Sequence, residues 1–404
     1  MPIITIFNGN FCKEDKIIKQ ILDSTKYKFI ADNDIVERAS KISKISIDKL
    51  KGAFSEKTSV FNKFTHEKER SIAYLKLALS EILSEDGLLI KGFCSHLIPK
   101  EITHVLKICL IADIKSRLSL STKCDDINEK ESLNVIQKHD KDCSAWTDTL
   151  FKVKDPWDTS LYDIVIPTDK TDESDIFEII ENNLRKEVIM PTDSSIKAAK
   201  DFVFAAKIEV ELAKEGHNVG VTVRDGLVTL TINKHVLMLS RLEEELKSIV
   251  NKVQGVKSIE TRVGKGYHQT DIYRKFDFEI PSKLLLVDDE REFIQTLSER
   301  LSMRDMGSAI AYDGESALNL IDDDEPDVMI LDLKMPGIDG IEVLKRVKET
   351  RPKIEVIILT GHGSEVDKEV CMKLGAFAYL QKPVDINLLS QTLKDANEKI
   401  REKK

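Results

Sequence analysis

No pair of the six cysteines, Cys12, Cys94, Cys109, Cys124, Cys143 and Cys371, has C-x-x-C spacing. The chain therefore gives no support to a zinc knuckle or a dithiol redox motif. The run "KICLIA" sets Cys109 among apolar residues, where a thiol behaves as a small hydrophobe. Reduced thiols in a cytoplasmic setting are the expectation. Also missing is any uninterrupted apolar window of about 18 residues, so no membrane-spanning helix is expected. The N-terminus, "MPIITIFNGN", has no basic stretch ahead of its short apolar run and does not read as a signal peptide. Positive charge is not in excess either. Lys and Arg number 61 against 70 Asp and Glu, a net charge of -9. That argues against a whole-chain nucleic-acid binder and leaves room only for a local basic patch.

What is present is ordinary soluble protein, 41% hydrophobic and 32% charged. The 404 residues are too many for one core, so about two to four domains are expected. Residues 2–7, "PIITIF", read as a buried strand, followed by a loop and the helix "KIIKQILDS". A long helix near 66–84 follows, then strands at 87–92 and 104–112. A polar stretch over 124–155 carries one helical pattern. A strand at 160–168 and a helix at 172–186 close this part. Alternating strands and helices predict a mostly parallel α/β sheet over about 1–190. Beyond Pro191 the pattern changes. An amphipathic helix runs to about 214. "NVGVTVRDGLVTLTIN" (218–233) then reads as a hairpin around Asp225-Gly226, a type I′ turn pair. A helix (235–252) and a strand (256–263) complete a small α+β unit over 191–268. Residues 269–282 lie in a polar stretch without clear period and read as a linker. From Lys283 to 404 strands and helices alternate again in about five units.

Why does "DVMILDLKMPG" run four apolar residues straight into Asp332? A lone charge in an apolar core costs several kcal/mol unless paired or metal-bound. The same C-terminal part repeats the device. "KLLLVDDE" ends on Asp288 and Asp289, "IEVIILTGHG" on Thr360, and "AFAYLQKP" just beyond its strand on Lys382 and Pro383. In an open parallel sheet such strand ends lie side by side, and ligands bind there. Taken singly, each is a turn aspartate or a surface lysine; the ordered set points to chemistry. Converging carboxylates imply a hard divalent cation, and Mg²⁺ suits one to three carboxylates together with phosphoryl oxygens. With the cation present, a carboxylate can act as a nucleophile toward phosphorus. Lys382 and the Thr360 hydroxyl would meet the other phosphoryl oxygens.

On these residues 283–404 resembles the receiver domain of bacterial two-component response regulators. The resemblance implies a (βα)₅ doubly wound parallel sheet, with Mg²⁺ held by Asp288, Asp289 and Asp332. It makes Asp332 the phosphoacceptor, Thr360 the switch hydroxyl and Lys382 the lysine that meets the phosphoryl group. Its implied partner is a histidine kinase or histidine phosphotransfer protein, or a small phosphodonor. Tyr379, three residues before Lys382, matches the aromatic switch position and equally reads as a strand-edge core aromatic. "LKMPGIDG" matches the loop after the acceptor, where Pro336 and Gly337 would shape a tight turn. His362 lies close by and reads as a loop residue.

"VTVRDGLVTLTI" and "VQGVKSIETRV" resemble the BON family, small domains suspected of binding lipids or other hydrophobic or anionic ligands. They identify no catalytic residue. "IITIFNGNF", "FIADNDIVERAS" and "DPWDTSLYDIVIPTDKTD" resemble the cytidylate kinase-like family of P-loop proteins. Where that family has a glycine-rich phosphate loop, this chain has Phe11, Cys12, Lys13 and Glu14, and a carboxylate there repels a triphosphate. The family's Gly-Arg-Gly-like turn reads Lys91-Gly92-Phe93. The lid stretch "KHDKDCSAWTDTLF" has no arginine. Residues 1–190 are therefore expected to be a degenerate kinase fold without ATP-dependent catalysis. The functional expectation is a response regulator whose phosphorylation on Asp332 regulates the upstream domains or a partner protein. The alternatives are a phosphorylation-regulated nucleotide kinase, or a lipid- or ligand-sensing adaptor. No helix-turn-helix or other familiar output domain is expected after the last receiver helix.

Overall fold

The computed structural model describes residues 1–124, 128–236, 238–267, 283–304, 306–361 and 363–402. The expected linker at 269–282 and His362 lie outside the described residues. The chain divides into two compact units. One holds residues 1–58, 68–214 and the described residues from 218 to 267; the other holds 59–67, 215–217 and the described residues from 283 onward.

The first unit starts with β1 (Ile3–Asn8), whose six residues are all buried, as a strand covered on both faces must be. It is flanked by β2 (Lys28–Ala31), β3 (Leu88–Lys91), β4 (Val105–Ile111) and β5 (Ile164–Pro167), in the order β2-β3-β1-β4-β5. Every pairing is parallel. The helices Glu14–Thr25 and Glu173–Leu184 belong to a core on Ile4, Ile6 and Ile108, while Glu67–Ile82 belongs to one with Ile3 and Trp146. β2 is a strand that hydrophobic patterning did not indicate. It is four residues long at the sheet edge, with Lys28 and Phe29 exposed, so no alternation marks it. The strand expected at 160–168 is shorter than that, because the Asp158 carboxylate accepts from the Ser160 N–H and turns Thr159–Leu161 into a 3₁₀ turn.

The same unit carries a second, smaller sheet. The helix Asp193–Lys214 leads into β6 (Gly220–Arg224) and β7 (Leu227–Ile232), and the helix Leu239–Val250 leads into β8 (Ser258–Val263). β6 and β7 are antiparallel, and β8 runs parallel to β7. Asp225 (φ 55°) and Gly226 (φ 81°) both take the left-handed conformation, as the type I′ reading of this turn requires.

The second unit holds β9 (Leu284–Val287), β10 (Ser308–Ala311), β11 (Val328–Leu331), β12 (Glu355–Thr360) and β13 (Ala378–Gln381). The order is β10-β9-β11-β12-β13, with all pairings parallel. β9, β11 and β12 are buried throughout. Two layers of apolar side chains cover the sheet. One gathers the helices Gly314–Asp323 and Gly340–Thr350; the other gathers Arg291–Ser302 and Ile386–Glu402. The segment 59–67 packs within this unit. Phe61 is fully buried, the Val60 N–H donates to Asp324 at 3.0 Å, and Glu67 pairs with Lys283 at 3.3 Å.

Candidate functional site

The C-terminal ends of β9, β11 and β12 meet on one edge of the second sheet. Register pairs Leu331 with Val287 and with Ile358, so Asp288 and Asp332, each one residue further on, emerge together. The Asp288 N–H donates to Ala311 O at 3.2 Å and the Asp332 N–H to Val287 O at 2.9 Å, which fixes both backbones. Thr360 ends β12, is fully buried, and accepts the Lys382 N–H on its carbonyl at 3.0 Å.

The side chains converge. One oxygen each from Asp288, Asp289 and Asp332 lies within 4.8 Å of the others. Lys382 Nζ is 2.7 Å from Asp288 Oδ2, 2.9 Å from Glu290 Oε1 and 3.9 Å from Asp332 Oδ1. Asp332 Oδ2 accepts the Lys334 N–H at 3.1 Å, whereas Oδ1 is buried with no hydrogen-bond partner among the described residues. A buried anionic oxygen left open in this way is costly unless a cation or a proton comes to it. Burial pushes the Asp288 carboxyl above its ordinary value even though Lys382 pulls it down. Burial alone would lower the Lys382 ammonium, but its contacts with Asp288 and Glu290 outweigh that and raise it. The two shifts have different causes: burial raises Asp288, and the carboxylates around Lys382 raise the ammonium. A divalent cation on the three aspartates would offset the cost of burying them, and all-oxygen donors are what Mg²⁺ prefers.

The loop after β11 is shaped for close approach. Gly337 takes φ 83°, the left-handed turn that Pro336-Gly337 suggests. A Cβ on Gly340 would come within 2.1 Å of Asp332 O, so only glycine lets the helix Gly340–Thr350 start there. Tyr379 belongs to β13. Its hydroxyl is buried under Gly363, where an added Cβ would collide with it, and has no partner among the described residues. Burial raises the phenol above its ordinary value.

The edge of the first sheet has a different character. Phe11 and Lys13 hold φ values of 62° and 58°, left-handed conformations that glycine would take without strain. The Glu14 carboxylate accepts the Cys12 N–H at 2.9 Å, so a built-in anion already meets a backbone donor of this loop. Lys13 donates instead to Thr168 O at 2.9 Å. Arg117, from the helix Ile114–Cys124, donates to Asn10 O at 2.8 Å and makes two bonds to Asp140 at 2.8 and 2.7 Å. The lid stretch has no arginine, yet one reaches it from the preceding helix. No local spacing in the sequence signalled that contact. At Lys91-Gly92-Phe93, the Asp32 carboxylate accepts the N–H groups of Phe93 and Cys94 at 2.8 and 2.9 Å. Glu290 was the other residue missed. Its one sequence signal was the acidic run Asp288-Asp289-Glu290.

Comparison with known proteins identifies the domains of the two five-stranded sheets. The model of the response regulator receiver domain matches residues 284–394. Residues 284–394 are a response regulator receiver domain. The model of the cytidylate kinase-like family matches residues 3–170, so the N-terminal part is a cytidylate kinase-like domain. Over 102 residues the chain is 45% identical to the transcriptional regulatory protein CpxR of Escherichia coli K12, covering 25% of this chain and 43% of CpxR. Over 118 residues it is 36% identical to GlrR of the same organism, covering 29% of this chain and 27% of GlrR. The chain thus spans less than half the length of either relative. Among solved structures, a receiver domain from Clostridium thermocellum is 33% identical, with 30% of this chain and 98% of that one covered and a TM-score of 0.29. That score is too low to carry weight of its own. The acidic cluster is consistent with the Mg²⁺ site typical of receivers. Among the described residues no helix is long and apolar enough to cross a membrane.

Proposed function

We propose that this chain is a two-component response regulator that accepts a phosphoryl group on Asp332 from a histidine kinase, a histidine phosphotransfer protein or a small phosphodonor. The observation that carries the reading is the meeting of three aspartates within 4.8 Å, with the Lys382 ammonium 3.9 Å from Asp332 Oδ1. A carboxylate oxygen of Asp332 forms the new bond to phosphorus. With a phosphohistidine donor the P–N bond breaks and the imidazole nitrogen keeps the electron pair; with acetyl phosphate the P–O bond breaks and acetate leaves with the pair. Lys382 then pairs with a phosphoryl oxygen, and the Thr360 hydroxyl donates to another. Mg²⁺ bound by Asp288, Asp289 and Asp332 would neutralise charge on the transferred group. Phosphorylation then shifts the face carrying Thr360 and Tyr379, which regulates the upstream domains or a partner protein.

Residues 191–268 are read as a BON-like packing or docking module. The helix, hairpin, helix and strand order supports that reading. A phosphorylation-regulated nucleotide kinase is the weaker reading, because the Glu14 carboxylate already accepts the Cys12 N–H of the loop where a phosphate would lie. The test is labelling of the full chain by acetyl phosphate with Mg²⁺, read as a mass gain of one phosphoryl group. Asp332→Asn is expected to abolish it. Asp327→Asn is expected to leave it intact, because Asp327 sits before β11 and accepts the Lys283 N–H at 3.2 Å. Labelling of Asp332→Asn at the wild-type level would refute the assignment.

A further inference from the structure

Lys382 carries the positive charge nearest Asp332, yet its two hydrogen-bonding contacts go elsewhere. The ammonium sits 2.7 Å from Asp288 Oδ2 and 2.9 Å from Glu290 Oε1, over the Phe293 ring at 4.4 Å, and 3.9 Å from Asp332 Oδ1. Two carboxylates hold it, and they differ in kind. Asp288 belongs to the group of three whose oxygens converge on a common point; Glu290 does not. A cation on that group would be held by Asp288, Asp289 and Asp332 and would not take Glu290 as a ligand. Glu290 is anchored through its own backbone, whose N–H donates to Asp288 Oδ1 at 2.9 Å just before the helix Arg291–Ser302. Its side chain is 65% exposed. The carboxylate therefore reaches the ammonium from the solvent side, where an anionic phosphodonor must arrive.

We propose that Glu290 is a latch on Lys382: in the unphosphorylated receiver its carboxylate holds the ammonium off Asp332, and this contact must break before Lys382 can meet the phosphoryl group. Glu290 is thus a positioning residue that sets the rate and stability of phosphorylation without touching the reacting atoms. It opposes the reaction twice, by occupying the lysine and by placing a negative charge at the mouth of the site. Both effects act at an exposed carboxylate, so their size is that of a solvent-screened pair, about threefold in rate or affinity. Salt weakens such a contact.

The proposal rests on Asp332 as the acceptor, and the experiment separates the two. Full-length wild type and Glu290→Gln, a change that keeps shape and removes charge, are compared in three measurements. Labelling by phosphoramidate with Mg²⁺ is expected to run about threefold faster in the variant, with a flatter dependence on ionic strength. Beryllofluoride, a phosphoryl mimic that binds without bond cleavage, is expected to bind more tightly by a similar factor. Mg²⁺ affinity, read by calorimetry without any phosphodonor, is expected not to weaken. Labelled wild type with a variant rate equal to or below it overturns the latch and leaves the acceptor standing. Weaker Mg²⁺ binding in the variant also overturns the latch, since Glu290 would then be a metal ligand. Wild type that takes neither phosphoryl nor beryllofluoride overturns the acceptor and the latch together.

Discussion

His96 is a residue whose burial makes a specific demand. It is 7% exposed, its ring lies 4.3 Å from Phe7 and 5.6 Å from both Phe151 and Tyr162, and neither nitrogen has a partner among the described residues. Burial, with a smaller push from Lys107, lowers its pKa from 6.5 to about 3. The folded state therefore binds this proton later than the unfolded chain does. The stability linked to it is fully present above pH 6.5 and is lost as pH falls toward 3, by about 1.4 kcal/mol per unit. His96→Phe keeps an aromatic ring among the others and removes the proton site. Urea unfolding from pH 7 to pH 4 is expected to show wild type losing stability faster than the variant, with little difference at pH 7; parallel curves would refute this. Nothing in "GFCSHLIP" marks such a histidine, because its state depends on rings brought from distant segments. The receiver residues were legible for the opposite reason. Asp288, Asp289, Asp332 and Lys382 follow strands and Thr360 ends one, so local pattern and chemistry coincide at one place. Glu290 was not legible, because its role comes from a contact with Lys382, 92 residues away.

Among elements, the helix Gly340–Thr350 shows how tightly the site and the fold are joined. Its first residue lies so near the Asp332 carbonyl that an added Cβ would sit 2.1 Å from that oxygen and 2.7 Å from Leu333 Cα, both of them backbone atoms that cannot rotate aside. Gly340→Ala must move the helix start or the loop that carries Asp332. A cost of about 1–3 kcal/mol is expected, together with slower phosphoryl labelling. At Gly337 a Cβ meets nothing within 4 Å, but φ is 83°. Gly337→Ala is expected to cost about 1–2 kcal/mol through backbone strain alone, with labelling largely kept. Chemical denaturation and labelling rates on the two variants check the contrast; equal labelling loss in both would show that helix placement does not govern Asp332. Elements with strong periodicity were readable from sequence, including the 218–233 hairpin, whose turn residues state their own geometry. β2 was not readable, because an exposed four-residue edge strand has too few buried positions to set a period. The packing of segment 59–67 beside Asp324 and Lys283 was invisible for another reason. It depends on a contact 264 residues apart in sequence.

Across the whole molecule, two parallel sheets with the same general architecture differ at their edges. The receiver edge gathers three carboxylates with an open oxygen, a place short of positive charge. The edge of the N-terminal sheet meets a backbone donor with the Glu14 carboxylate and commits Lys13 to Thr168, a place where an incoming phosphate would displace bonds already made. Ligands that bind the native state raise its stability by mass action, so a thermal scan of the full chain distinguishes the two. Mg²⁺ at ten times its dissociation constant should add about 1.4 kcal/mol to the receiver, a rise of a few degrees in its transition. Asp288→Asn and Asp332→Asn should each reduce that gain, because each removes a charge from the cation's donor set. ATP added with Mg²⁺ should raise no transition beyond the Mg²⁺ effect. Glu14→Gly removes the internal anion and is the variant in which an ATP-dependent rise would first be sought. A rise of several degrees with ATP in the unsubstituted chain, kept in Asp332→Asn, would place nucleotide binding in the N-terminal domain and return the kinase reading to first place.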